Sequence, residues 1–317
     1  MQKEEIKSYG MVIASMLIFG TIGIFRRYIP LSSGFLACAR GIIGGTCLCF
    51  WMKIRGLKIQ HKIGWKNTVL LAVIGAMIGV NWILLFEAYN YTTVATATLC
   101  YYMQPTIVLL LSPLIFKEKL TKKKMICALL ALVGMFFVSG MMEGNGIHSS
   151  DAKGILFGLM AAVLYACVII MNKLVKVKDA YERTIIQLFF AAIVMIPYLI
   201  LSLRKGQSFF RYEENQISVS SLIKGVPAFT AIHNFLTFFG IAILMLLIVG
   251  VVHTGLAYAL YFGGMSGLKS QSIAVLSYID PVFALILSVC VLHEGMSIYG
   301  MIGAGLVLGS AIFSEFS

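Results

Sequence analysis

Charge is scarce in this sequence. Of 317 residues only 12% are Asp, Glu, Lys or Arg, against about 25% in a soluble domain. A chain so short of charge cannot clothe a water-facing surface, which excludes an ordinary soluble fold. Motifs for covalent or metal chemistry are missing too. The five histidines, at 61, 148, 233, 253 and 293, have no His or acidic neighbour at ligand spacing within an apolar stretch, and neither H-E-x-x-H nor G-x-S-x-G occurs. No metal, cofactor or catalytic residue is therefore assigned. Seven cysteines (38, 47, 49, 100, 127, 167 and 290) all fall in apolar stretches without disulfide or metal spacing and read as small hydrophobes.

What the chain has in abundance is apolar sequence: 60% of its residues, with a mean hydropathy of +0.93. At about 20 residues per span this is material for about ten transmembrane helices. Windows bounded by charge, glycine or proline give spans at 9–29, 32–52, 68–88, 92–116, 123–140, 153–172, 184–203, 241–263, 268–292 and 297–314. The first is longer than a signal-peptide core and has no small-residue cleavage site after it, so it stays as a span. The net charge of +12 sits in short loops, where it reports orientation and lipid contact instead of nucleic-acid binding.

Ten spans put both termini on one side. Summing Lys and Arg by side gives 17 on the terminal side, 7 on the other and Arg40 inside a span. The excess predicts a multi-pass protein of the cell membrane, plasma or inner, with cytoplasmic termini. Leu222 to Phe262 resists the pattern, being apolar for twice a span without a polar turn. Interruptions at Pro227, His233 and Asn234 suggest an interfacial or re-entrant helix over about 225–238 ahead of the eighth span, or else a long tilted helix preceded by a partly structured loop.

The chain also repeats itself. An offset of 176 residues aligns Tyr102 with Tyr278, Pro105 with Pro281, Ser112 with Ser288 and Glu118 with Glu294, and yields 11 identities in the 31 positions from 102 to 132. Compositional bias alone gives about three or four, so the unit is duplicated. The boundaries are 1–145 and 146–317, the second half carrying an extra 204–240 connection. Five spans per half is odd, so the second copy threads the bilayer upside down. Charge agrees, because the Lys-rich loop 117–124 corresponds to 293–300, which has no Lys or Arg. The expected fold is an all-α membrane protein of ten transmembrane helices in two inverted five-helix repeats.

Ten spans, a proline-bearing span in each half, and the repeated Pro-x12-Glu spacing of Pro105 to Glu118 and Pro281 to Glu294 resemble the EamA-type branch of the drug/metabolite transporter superfamily. The resemblance covers nearly the whole chain. It implies a carrier that exports amino acids or related small metabolites by alternating access through a central cavity, lined largely by the third, fourth, eighth and ninth helices. The 204–240 stretch departs from it at the outer mouth.

Several residues are candidates for binding the solute. Arg40 lies about seven residues, or about 10 Å, into the second span. An arginine this deep calls for an anionic partner, either Glu87 at the end of the third span or a solute carboxylate. Asn81, Trp82, Tyr101, Tyr102 and Gln104 bring polar and aromatic groups to the third and fourth helices, with Tyr258 and Tyr278 on the eighth and ninth. Asp280 is about 12 residues into the ninth span, near mid-membrane, and His253 is at similar depth on the eighth. The two are expected to touch each other or share a solute amine, or else to be bonded and packed structurally. Pro105 and Pro281 break their helices and free carbonyls for a wet cavity, unless they serve only as packing kinks.

Glu118 and Glu294 precede Thr121 and Ser297, N-caps of the following helices, and so have a capping explanation beside a functional one. Gly41-x3-Gly45, Gly75-x3-Gly79, Gly154-x3-Gly158 and Gly305-x3-Gly309 are read as packing contacts. Trp51 and Trp65 read as interface anchors. A membrane-embedded enzyme and a channel are the alternative functions. The first lacks a base, nucleophile or metal cluster, and the second lacks a selectivity filter or ring of charge.

Overall fold

The computed structural model describes residues 3–26, 29, 31–56, 64–92, 97, 100–138, 152–175, 177, 179–205, 239–292 and 297–315. Its long elements are all helices: α1 (Lys3–Arg26), α2 (Ser33–Ile54), α3 (Trp65–Tyr91), α4 (Gln104–Phe116), α5 (Lys122–Val138), α6 (Ala152–Leu174) and α7 (Ala180–Arg204). They are followed by α8 (Phe239–Met265), α9 (Ser270–Leu276), α10 (Ile279–Leu292) and α11 (Ile298–Glu315). Counting α9 and α10 as two pieces of one interrupted helix, the described residues make ten helices. Six of the helices are long and apolar enough to cross a bilayer unaided. The remainder are shorter and apolar. Large hydrophobic side chains such as Phe50, Leu114, Leu129, Ile193 and Leu244 point outward, as a lipid-facing surface requires.

Helix ends follow local chemistry. The Asp179 carboxylate accepts from the backbone N–H groups of Tyr181 and Glu182 at the start of α7. The hydroxyls of Thr121 and Ser297 accept from Lys124 N and Gly300 N at the starts of α5 and α11. Neither Pro105 nor Pro281 kinks the middle of a helix. Tyr102 and Met103 form a turn before α4 starts at Gln104, and Ser277 and Tyr278 form one between α9 and α10. Each proline thus stands in a first turn, where its missing N–H leaves no intrahelical bond unmade. The fourth and ninth helices are broken two to four residues ahead of their prolines.

Packing links the two halves throughout. α3 lies on α6 and α7, α8 on α1 and α2, α4 on α6, and α10 on α1, while α2 packs on α7 and α5 on α11. Close approach is set by glycines that leave room for backbone. A Cβ on Gly75 would strike the Gln187 backbone, and one on Gly79 would lie 2.6 Å from the Ala191 carbonyl oxygen. Gly154 and Gly158 press on Thr92 and on Ala97 and Cys100 in the same way. The fourth spacing is different: Gly305 and Gly309 have open space around them, and the tight contact between α5 and α11 is Gly134 on Gly303.

These contacts separate two glycine substitutions. Gly75→Ala overpacks the α3–α7 contact and is expected to destabilise the protein by about 1–3 kcal/mol. Gly305→Ala meets nothing and removes glycine from a helix interior, a gain of up to about 1 kcal/mol. Thermal unfolding in detergent checks both, and equal effects would contradict the packing described.

The predicted 225–238 helix, the outer loop around His148, and Glu294 lie outside the described residues. Arg183 requires a correction. It is one of the 17 basic residues counted as loop charge on the terminal side, yet α7 starts at Ala180 and buries Arg183 in its first turn. Its guanidinium donates to the Phe262 carbonyl at 2.7 Å and to the Asn172 carbonyl at 3.4 Å. Gln187 donates to Asn172 Oδ1 at 2.7 Å beside it. The side chain fastens α7 to α6 and α8 instead of reaching out from a loop.

Candidate functional site

Six elements bring polar and aromatic side chains together at the centre: α2 with Arg40, α3 with Trp82, the segment just before α4 with Tyr101 and Tyr102, α6 with Tyr165, α8 with Tyr258, and the start of α10 with Asp280. Arg40, Tyr165 and Asp280 lie deep in the protein, yet they and Tyr101 and Tyr102 retain partial exposure. Deep groups that remain partly exposed line an internal opening, and a bilayer-facing position would not be walled in on all sides. The opening holds one guanidinium and one carboxylate.

The guanidinium of Arg40 lies over the Trp82 indole, with Cζ 4.4 Å from the ring centroid. Trp82 in turn meets the Tyr258 ring edge-on at 6.4 Å. This cation–π contact is the only direct partner of Arg40 among the described residues, and its Nε makes no hydrogen bond. The proposed Glu87 pairing is not formed. Glu87 accepts instead from the Tyr198 hydroxyl at 3.1 Å and from Asn90 at 3.4 Å. Tyr258, Tyr101, Tyr165 and His253 all lie within electrostatic reach of the guanidinium.

Asp280 occupies the first turn of α10, where the positive end of the helix favours a carboxylate. Its Oδ2 accepts from the Tyr102 hydroxyl at 3.5 Å. The repeat makes this contact half of an exchange. Tyr278, aligned with Tyr102, bonds Thr106 in the first turns of α4 at 2.9 Å. The tyrosine of each break thus reaches the helix that starts in the other half. The position aligned with Asp280 is Gln104, which is buried with an unpaired Nε2.

His253 and Asp280 do not touch. The imidazole Nε2 is 2.7 Å from Thr21 Oγ1, and the ring packs edge-on against Phe25 at 4.8 Å. One residue before Thr21, Gly20 presses on the Asp280 backbone and Phe283, so α1 runs between the two groups. Asn81 is also withdrawn, fully buried and donating to the Ala161 carbonyl at 2.7 Å. Tyr278, at 1% exposure, is committed to Thr106. Of the sequence candidates, Arg40, Trp82, Tyr101, Tyr102, Tyr258 and Asp280 come together, and His253, Asn81, Gln104 and Tyr278 stand behind them. Tyr165 was missed. Its ring lies 5.9 Å from that of Tyr101, and its signal was the lone aromatic ring in the second half of the sixth span.

On the side of the termini, Ser270 to Tyr278 are nine consecutive buried residues. Glu118 reaches this segment from the link between α4 and α5. Its Oε1 accepts from Lys173 Nζ at 2.9 Å and from Ser270 N at 3.0 Å, and its Oε2 from Gln271 N at 3.4 Å. It therefore caps α9 of the second half, whereas local sequence logic assigns it to its own following helix. Burial alone pushes the Glu118 carboxyl up, but bonds from Ser270 N, Lys173 and Gln271 N outweigh it and hold the group below the ordinary carboxylate range.

Ten apolar helices around a centre of polar and aromatic side chains are the architecture of a helical membrane protein. The chain belongs to the EamA-like transporter family, whose model matches residues 6–140 and again 152–316. It is 24% identical to the uncharacterized transporter YxxF of Bacillus subtilis, over 90% of this chain and 82% of that one. Identity to the uncharacterized inner membrane transporter YicL of Salmonella typhimurium is 22%, covering 95% and 92%. Protein PecM of Dickeya dadantii is 23% identical, covering 80% and 75%. A crystal structure superposes with a TM-score of 0.73 at 19% identity, covering 98% of this chain and 96% of that one, and shares the fold.

Proposed function

We propose that the protein is a secondary transporter of amino acids or related zwitterionic metabolites, working by alternating access through the central opening in the cell membrane, with cytoplasmic termini. The observation that carries this reading is Arg40, a deep guanidinium without a carboxylate partner, sharing one opening with Asp280. An unpaired charge at such depth is costly. A solute carrying both a carboxylate and an amine supplies the missing counter-charge at Arg40 and a donor for Asp280. The aromatic rings of Trp82, Tyr101, Tyr165 and Tyr258 give it an apolar wall with hydroxyl partners.

Two inverted five-helix repeats, 1–145 and 146–317, supply the motion. Exchanging the halves turns the α3–α6 contact into α8–α1, α3–α7 into α8–α2 and α4–α6 into α10–α1, while α2–α7 and α5–α11 map onto themselves. Such exchange supports two equivalent arrangements of similar energy, opening the site to either side. The test is uptake of a panel of labelled amino acids and their decarboxylated amines into proteoliposomes. Amino acids are expected to exchange across the bilayer and the amines not. Failure of every zwitterion to exchange, or flux that does not saturate, would overturn the reading.

A further inference from the structure

The opening needs something that holds one side shut. Resting on the transport reading above, we infer that Glu118, Lys173 and the amino end of α9 form the gate on the face that carries the termini, and that the described arrangement is the state closed on that face.

Three observations carry this. First, the segment is enclosed in protein: every residue from Ser270 to Tyr278 is buried, while Ile279 and Asp280, immediately beyond, are partly exposed. The plug therefore ends where the site begins. Second, the plug is held across the boundary between halves. Glu118 comes from the first half, whereas Lys173 and α9 belong to the second, and Lys173 Nζ donates both to Glu118 Oε1 at 2.9 Å and to Ser270 Oγ at 3.0 Å.

Gln271 adds a bond to the Lys119 carbonyl at 3.4 Å, and the Tyr9 hydroxyl of α1 meets Ser272 Oγ at 3.4 Å. Parting the halves on this side means breaking each of these. Third, the lock is made of bonds that water can replace. Glu118 and Lys173 retain 13% and 15% side-chain exposure, so both charges can be solvated when the halves separate, which a fully buried pair could not achieve cheaply. The apolar contacts of the same region include Phe116, whose ring lies 4.9 Å from Lys173 Nζ. They are short-range and release together once the ion pair opens.

Without the carboxylate, α9 loses the acceptor for two backbone N–H groups and Lys173 loses its counter-charge. The closed state should weaken relative to the open one, raising the population open to the terminal face by about tenfold or more. Ile279→Cys in a cysteine-free background reports access to the opening through labelling by a membrane-impermeant maleimide, applied separately to each face of oriented vesicles. In the parent, labelling is expected from the face opposite the Lys117–Lys124 loop and to be blocked from the loop's own face.

Glu118→Gln should raise labelling from the loop's face at least about tenfold. Lys173→Met, which leaves the cap on α9 in place, should raise it less. Retained labelling from the opposite face in each variant shows that the fold has survived. Blocked labelling from the loop's face in both variants, with opposite-face labelling at the parent rate, would overturn the gate. If labelling responds as expected while no solute exchanges in any variant, the gate stands and the transport reading fails.

Discussion

Asp280→Asn is expected to reduce solute exchange by about ten- to a hundredfold at matched protein levels. The estimate follows from a charge-assisted hydrogen bond worth about 1.5–3 kcal/mol between the carboxylate and a solute amine. Asparagine is nearly isosteric and keeps a carbonyl oxygen to accept from Tyr102, whose hydroxyl is 3.5 Å from Oδ2. It is also a competent residue in a helix first turn. If Asp280 only starts α10 and anchors Tyr102, the substitution costs little. A large loss therefore isolates the charge. Tyr102→Phe removes this hydrogen bond to the carboxylate and leaves the charge, so its effect should be several-fold smaller. Counterflow of labelled solute in proteoliposomes distinguishes the two, and wild-type exchange in Asp280→Asn would remove this residue from the binding machinery.

Arg40→Gln should produce an opposite pair of changes, with exchange down by about a hundredfold and thermal stability unchanged or higher. Burying a cation costs free energy that the Trp82 face, 4.4 Å away, repays only in part, since such contacts contribute about 0.5–2 kcal/mol. Taking away the charge relieves that cost while deleting the carboxylate's partner. A structural arginine would behave otherwise, with stability and transport falling together. Arg40→Lys tests geometry: the ammonium can stay over the indole but cannot make two parallel bonds to a carboxylate. It should raise the half-saturating concentration of amino acids more than it lowers the maximal rate. Retention of full activity in Arg40→Gln would show that no solute carboxylate binds there.

The helices were legible in the sequence because a bilayer imposes one length and one composition on a segment that crosses it. Features that depend on a single long-range neighbour were not. Pro105 and Pro281 announce a break, but their position alone does not say whether the break falls at the proline or before it, and here it precedes both. Arg183 read as a loop charge because its acceptors, the carbonyls of Phe262 and Asn172, are backbone atoms without a sequence signature. Glu118 offered a local cap three residues ahead of Thr121, while its actual partners lie 55 and 152 residues away. His253 and Asp280 share a depth, and depth says nothing of the helix between them. The glycine spacings were correct where backbone meets backbone and misleading at Gly305 and Gly309, since a spacing marks a stripe without saying what faces it.

Near its middle, α8 widens into a π-helical stretch from Val249 to Leu256, where the Thr254 hydroxyl donates to the Val249 carbonyl and Gly44 of α2 seats against Gly250 and Gly255. A π turn amounts to one residue more than an α-helix of the same rise would hold. It shifts the phase of everything that follows. Deleting a single residue here would restore regular winding and turn the rest of the helix by about 100°. Tyr258 would then swing away from Trp82 and from the charge of Arg40, and Tyr261 would lose its place beside Ser277. The aromatic wall of the opening thus depends on an insertion that length and hydropathy do not reveal, and relatives with and without that extra residue would present different faces of the same helix to their solutes.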